Sequence, residues 1–184
     1  MEPETPYQKV EQFHRTFDPR IPERPTAFTK EHADDRAGFK IEELVEFVAA
    51  ASEGDAKKLH DSVQYLHHAL DQAEKKILKK NVWGEESLVE QVDALTDLLY
   101  FTYGSFSLLG VDPTRIFDIV HQANMGKLFP DGKPHYDPVT NKVLKPDNWQ
   151  KDYAPEERIA KEIKEQMKKA EQVKFATENS SAGP

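Results

Sequence analysis

Apolar residues recur every three or four positions through most of this chain, which is the spacing of one face of an α-helix. The pattern predicts a short amphipathic helix over 7–17, with Val10, Phe13 and Phe17 on one side. Residues 18–26 carry Pro19, Pro22 and Pro25 and read as an extended connection. Thr29 is placed as the N-cap of a helix over 30–52, with Glu31 in its first turn and Gly54 beyond its end. Asp55 caps a third helix over 56–80, whose apolar positions are Leu59, Val63, Leu66, Leu70, Ala73 and Ile77. Asn81 and Gly84 close it, and Glu85-Glu86 open a long apolar helix that Gly110 stops after Leu109. Asp112 as N-cap and Pro113 as first helical residue open a helix to Met125. The regular pattern then breaks. Residues 126–149 are rich in proline and turn residues, with Phe129, Tyr136, Val143, Leu144 and Trp149 as apolar anchors, and predict an ordered flap. A highly charged last helix is expected over 155–175, with a thin stripe of Ile159, Ile163, Met167, Ala170 and Val173. It should be peripheral or a partner contact, and Glu178–Pro184 should fray. No run has the alternation of a strand, so the expected class is all-α: about four core helices with a short N-terminal helix, an irregular C-terminal flap and a peripheral last helix.

Within this pattern two stretches are out of character. Ile41-Glu42-Glu43-Leu44-Val45-Glu46 places Glu43 and Glu46 one turn apart, and Glu42 and Glu46 also share a side. Glu90, Asp93 and Asp97 stack over two turns of the long apolar helix. Glutamates on a helix face are usually just solvated. Aspartate, however, is a poor helix-interior residue, and Asp97 sits within Ala94-Leu95-Thr96-Asp97-Leu98-Leu99-Tyr100-Phe101. A helix apolar on most sides is expected to be buried. A buried carboxylate costs several kcal/mol, roughly, unless it is protonated, paired or bound to a cation. Few basic residues lie in the two stretches, so a hard divalent ion such as Mg²⁺, with Mn²⁺ as an alternative, is the natural counter-charge. Lys40 and Arg36 precede the first cluster by about one and two turns. Asn124 and Lys127 follow later, and Lys133, Lys142 and Lys145 lie in the flap. Cations of this kind suit the far end of a metal-bound polyphosphate, and Arg36, Lys40, Asn124, Lys127 and Lys145 are the expected substrate contacts.

Composition narrows the classes. Among 184 residues, 33 acidic side chains outnumber 25 basic ones, a formal net charge of −8, which argues against a nucleic-acid or anionic-membrane surface. Cysteine is absent, so there is no disulfide, thiolate metal site or cysteine nucleophile, as suits a cytoplasmic protein. Residues 1–6 are acidic and lack an apolar signal region, and no apolar run is long enough to span a bilayer. Glycine-rich phosphate loops and nucleophile elbows are missing. Seven histidines raise the alternative of a di-iron bundle, but only Glu11-Gln12-Phe13-His14 has the Glu-x-x-His spacing. A non-catalytic helical scaffold is the other alternative.

Glu43-x-x-Glu46 followed by Glu90-x-x-Asp93 on a later helix resembles the all-α nucleoside triphosphate pyrophosphohydrolase superfamily, which includes MazG, the dimeric dUTPases and phosphoribosyl-ATP pyrophosphohydrolase. The opening Val10-Glu11-Gln12-Phe13-His14 with Pro22-Glu23-Arg24-Pro25 is similar to the start of MazG-like proteins. So are residues 93–100 with Tyr103-Gly104 and residues 109–112. Asn124-Met125-Gly126-Lys127-Leu128, residues 142–146 and Trp149 resemble the tail of the phosphoribosyl-ATP pyrophosphohydrolase-like branch. The resemblance implies a domain over 1–150 followed by a charged helix and tail over 151–184. It implies hydrolysis of a nucleotide to monophosphate and pyrophosphate with Mg²⁺, and pairing into homodimers or dimers of dimers. Carried over, Glu43, Glu46, Glu90 and Asp93 are metal ligands, Asp97 is a second-shell or added ligand, and Glu42 orients or deprotonates water. The charged helix over 56–80 and the last helix are additions to the minimal pattern.

Overall fold

A computed structural model of the chain describes residues 3–18, 20–80, 84 and 87–180. The fold is all-α. Its helices are α1 (Pro6–Phe17), α2 (Lys30–Ala51), α3 (Ala56–Lys80), α4 (Ser87–Leu109), α5 (Thr114–Met125), α6 (Trp149–Asp152) and α7 (Glu156–Ser180). They divide between two compact units, one of Met1–Glu23 with Leu98–Pro184 and one of Arg24–Asp97, and the boundary falls inside α4. Among the described residues no helix is long and apolar enough to cross a membrane.

In the first unit, α5 packs against α1 on one side and α7 on another. The α1 helix starts in a capping box: Thr5 Oγ1 accepts from the Gln8 backbone, and Gln8 Oε1 accepts from the Thr5 backbone at 2.8 Å. Its apolar side delivers Phe17 to the core, with Phe13 stacked on it at 4.5 Å. Polar pins hold α1 on α5: the Lys9 ammonium pairs with Asp118, and His121 Nε2 donates to Gln12 Oε1 at 3.0 Å. Partial burial, together with the Lys9 charge, pushes His121 below the usual imidazole range. Ile116 and Ala123 complete the buried face of α5.

The segment after α5 is ordered by its aromatic residues. Trp149 is buried and its Nε1 donates to the Ala123 carbonyl at 2.7 Å. Tyr136 Oη donates to the Phe17 carbonyl at 2.7 Å, and Tyr136 and Val143 form an isolated antiparallel bridge. The His135 ring stacks on Phe129 at 4.0 Å and donates from Nε2 to Asp131, which holds that carboxyl below its usual range. Of the expected anchors Trp149 is buried, Phe129 and Val143 are half-buried, Tyr136 is exposed but tied down through its hydroxyl, and Leu144 stays exposed. Trp149 also opens the short helix α6, which the flap reading omitted. The last helix runs further than 155–175 and keeps helical backbone through Ser180. Its first half lies on α5, where Gln166 both accepts from and donates to the Asp112 backbone at 2.9 Å and Arg115 pairs with Glu162. Ile159 and Ile163 are half-buried there, whereas Met167 and Val173 are exposed.

In the second unit, α2 turns back into α3 through Glu53 and Gly54, both at positive φ, and the two helices pack together. Glycine at 54 suits the left-handed turn that ends α2. Thr29 caps α2 and Asp55 Oδ1 accepts from the backbones of Lys57 and Lys58, as the sequence predicts. Half-buried Val45, Val48 and Ala49 on α2, and Leu59, Val63 and Leu66 on α3, lie in the halves nearest the turn. Leu70 and Ile77, expected on the packed stripe of α3, are exposed because they lie far from that turn. The Gln91 amide on α4 clamps the Phe28 backbone, accepting from its N–H at 2.9 Å and donating to its carbonyl at 3.2 Å.

Two expectations need correction. Helix α5 begins at Thr114, with Pro113 as the N-cap; Asp112 Oδ1 still accepts from the Thr114 backbone, so the turn is capped one residue later than its sequence suggests. More consequentially, α4 is not buried. It has no buried residue among those described; Leu88, Gln91 and Phe106 are half-buried, and Asp97 is exposed. Periodicity measures how apolar a helix is, whereas burial depends on what packs against it, and no described residue of α4 is buried by a neighbour. Expected openings at Glu85-Glu86, the Asn81 stop and the Pro184 end lie outside the described residues.

Two outcomes follow for the first unit. Trp149→Ala should cost about 3–5 kcal/mol in urea unfolding, while Val139→Ala, at a position 90% exposed, should cost under about 0.5 kcal/mol. His121 has its folded pKa lowered, so its contribution is complete above the unfolded value of about 6.5 and is lost as pH falls through the folded value. The unfolding midpoint should fall between pH 8 and pH 5 in thermal melts, and His121→Gln should flatten that slope.

Candidate functional site

The sequence-derived acids lie on α2 and on the first half of α4. On α2, Phe39, Glu43 and Phe47 are four residues apart in succession and Glu46 is one turn from Glu43, so these four share a face. Val45, Val48 and Ala49 occupy the side that α3 half-covers, which leaves the Glu43 and Glu46 face uncovered. Phe39 and Phe47 are 48% and 56% exposed on it. These carboxylates therefore sit between uncovered aromatic rings, and the face differs from an ordinary solvated acidic one. On α4, Glu90, Asp93, Asp97 and Phe101 follow one another at intervals of three or four, again an acidic stripe leading into an exposed ring.

None of Glu43, Glu46, Glu90, Asp93 and Asp97 takes part in any ion pair or side-chain hydrogen bond found among the described residues. All five are exposed. Among the described residues, no three acidic or histidine side chains stand close enough together to hold a metal ion. The chain thus carries two separate carboxylate sets on two helices. Glu42 is also exposed, one position before Glu43. The sequence does not single out Gly84, where a Cβ would meet the carboxylate end of the Glu90 side chain and displace it. Phe47 is the other ring beside Glu43, at the same four-residue spacing as Phe39.

The basic residues fall into two places. On α2, the Arg36 guanidinium lies over the Phe39 ring at 5.3 Å, and Lys40 Nζ donates to the Arg36 carbonyl at 2.9 Å. Partial burial, and next the charge of Arg36, lower the Lys40 pKa, so an anion here relieves two crowded cations. In the other unit, Lys127 Nζ donates to Asn124 Oδ1 at 2.8 Å, and Lys145 Nζ sits over the Trp149 ring at 3.8 Å. Trp149, bonded to Ala123, thereby sets Lys145 at the end of α5 that bears Asn124. The Tyr153 ring lies directly against Gly126 at the same end. Glu11, the acid of the Glu-x-x-His spacing, is paired with Arg15 at 2.8 Å.

Helices bearing paired carboxylates in this order define a class, the all-α pyrophosphohydrolases, which cleave phosphoric anhydrides. Residues 10–124 match the phosphoribosyl-ATP pyrophosphohydrolase family, and the chain belongs to that family. It is also similar to a crystal structure from Exiguobacterium sp. 255-15, of a protein provisionally called an NTP pyrophosphohydrolase. The TM-score is 0.83 and the identity 40%, and the match covers 92% of this chain and 99% of that one. No curated protein matches the chain.

Gly84→Ala should push the Glu90 carboxylate aside. Because the displaced atoms are the end of a flexible side chain, helix content by circular dichroism and the thermal midpoint should be nearly unchanged.

Proposed function

We propose that this chain is a Mg²⁺-dependent nucleotide pyrophosphohydrolase, with Mn²⁺ as a substitute ion. It converts a nucleoside or deoxynucleoside triphosphate, or a related nucleotide, to the monophosphate and pyrophosphate. The observation that carries this reading is the pair of uncompensated carboxylate sets, each embedded in uncovered apolar surface. Carboxylate oxygens are the donors a hard divalent ion prefers, and the room that Gly84 leaves for Glu90 fits such a role.

In this reading Glu43, Glu46, Glu90 and Asp93 hold the metal, and Asp97 supports them as an added ligand or from behind. When bound, the ion supplies Lewis-acid stabilisation of the phosphate oxygens and acidifies water. Glu42 accepts the proton of the attacking water. Arg36 and Lys40 offset the charge of the departing phosphates, a role that the crowding of their two cations favours. Asn124, Lys127 and Lys145 contact the remainder of the nucleotide. The protein works as a homodimer or a dimer of dimers in the cytoplasm, without nucleic-acid or membrane partners.

Glu46→Gln and Asp93→Asn should each lower pyrophosphate release by more than about 100-fold, measured across a nucleotide panel, with unaltered circular dichroism. Full activity in either variant would remove these residues from the site. A wild-type protein that releases no pyrophosphate from any nucleotide, and is not thermally stabilised by Mg²⁺ or Mn²⁺, would instead be a scaffold of the same fold.

A further inference from the structure

We infer that Gln91 is a positioning residue for the reaction: its side-chain amide fixes the start of α2 against the acidic turn of α4, and so sets Arg36 and Lys40 relative to Glu90 and Asp93. This rests on the proposed reading of those four residues and adds what holds them in relation to one another.

The contact is a two-point match. Phe28 lies just ahead of Thr29, the N-cap of α2. Gln91 Oε1 accepts from the Phe28 N–H at 2.9 Å, and Gln91 Nε2 donates to the Phe28 carbonyl at 3.2 Å. A residue whose N–H and C=O both meet one partner has the arrangement of a hydrogen-bonded antiparallel pair, here with a side-chain amide in place of the second strand. The other Nε2 hydrogen goes to Ser87 Oγ at 3.1 Å, one turn earlier on α4. With its oxygen and both N–H groups engaged, the amide has a single orientation. Phe28 and Gln91 are 63 residues apart in sequence, and both belong to the unit of Arg24–Asp97. Glutamate offers the acceptor without the donor, asparagine is one methylene shorter, and methionine fills the space with neither group.

Both ends of this contact lead to charged side chains. On α4, Gln91 stands between Glu90 and Asp93. On the other side, Thr29 Oγ1 accepts from the His32 backbone, and the Phe28 ring meets the His32 ring edge-on at 6.3 Å. Helical backbone then runs unbroken to Arg36 and Lys40, about 10 and 16 Å along the axis from Thr29. Those cations are tied to the helix that carries them, because Arg36 lies over Phe39 and Lys40 Nζ donates to the Arg36 carbonyl. Where α2 begins therefore decides where they stand. In the proposed reaction Glu90 and Asp93 serve the ion, and Arg36 and Lys40 serve the departing phosphates. Their separation then matters most in the transition state, where charge develops. Misplacing such groups by about 1 Å costs up to about 100-fold in rate.

The test compares full-length Gln91→Met and Gln91→Glu with the wild type in pyrophosphate release across the nucleotide panel, well below the melting temperature of each. Gln91→Met should lower kcat by about 10-fold or more and leave KM within about 3-fold, because the loss falls on the transition state. Gln91→Glu keeps the acceptor and regains the donor only as its carboxyl takes up a proton. A carboxylate facing a carbonyl oxygen is held above its ordinary value of about 4.3. The kcat of Gln91→Glu relative to wild type should therefore recover from about pH 8 to about pH 5, while the Gln91→Met ratio stays flat. A residue that merely tethers a loop would lower the melting temperature and leave kcat, KM and both pH ratios at wild-type values, which would overturn the inference. Amide exchange gives a readout apart from activity. The Phe28 N–H should exchange faster in Gln91→Met, and unchanged protection would overturn the inference as well. Should Gln91→Met not fold, the pH ratio of Gln91→Glu decides. A wild type that releases no pyrophosphate from any nucleotide would overturn the proposed function and this role with it. An active wild type in which Gln91 is indifferent would overturn the role alone.

Discussion

A carboxylate set among aromatic rings has to be balanced once those rings are covered. On α2 that requirement falls on Glu43 and Glu46, held between Phe39 and Phe47. Water satisfies the acids only while the face is bare, and bare aromatic surface is unfavourable. Covering it stabilises the rings by about 25 cal/mol per Å² and costs several kcal/mol for each unpaired charge. In the proposed reading a bound cation would reconcile the two. The same tension recurs on α4, where Asp93 and Asp97 lead into Phe101.

The unit of Met1–Glu23 and Leu98–Pro184 resolves its polar groups in another manner, by local hydrogen bonding around a small core. Trp149 fills the space under α5 and spends its one donor on Ala123. Tyr136 does the same with Phe17. Their effect is positional: Lys145 rests on the indole and Lys127 on Asn124 because the backbone between them is anchored. Helix α7 adds to this through Gln166 and Glu162, which hold the start of α5 from outside.

Much of the secondary structure was legible. Helix α3 spans the predicted 56–80 because Asp55 marks its start and a long charged, proline-free run sustains it. Thr29 and Gly110 punctuate their helices for equally local reasons, a side-chain cap and a left-handed turn. What failed depends on neighbours. The covering of α4 is a property of whatever packs on it, and Leu70 and Ile77 on α3 are exposed for the same reason. Pro113 was missed by the one residue that capping allows, while α7 continues five residues past its expected end because no proline or glycine stops it before Ser180. For the candidate site, the spacing of Glu43, Glu46, Glu90 and Asp93 was visible as two helical stripes, whereas the approach of Glu90 to Gly84 depends on the path of the backbone ahead of α4, which spacing does not give.

The bare surface of α4 has a further consequence, in mass action. A helix of 23 residues with Leu95, Leu98, Leu99 and Leu108 open to water is sticky toward any apolar surface. Whatever binds it adds its binding free energy to folding, so an apolar partner would raise thermal stability as its occupancy rises. Left open, the same surface favours aggregation, because a contiguous apolar patch attracts any surface like itself.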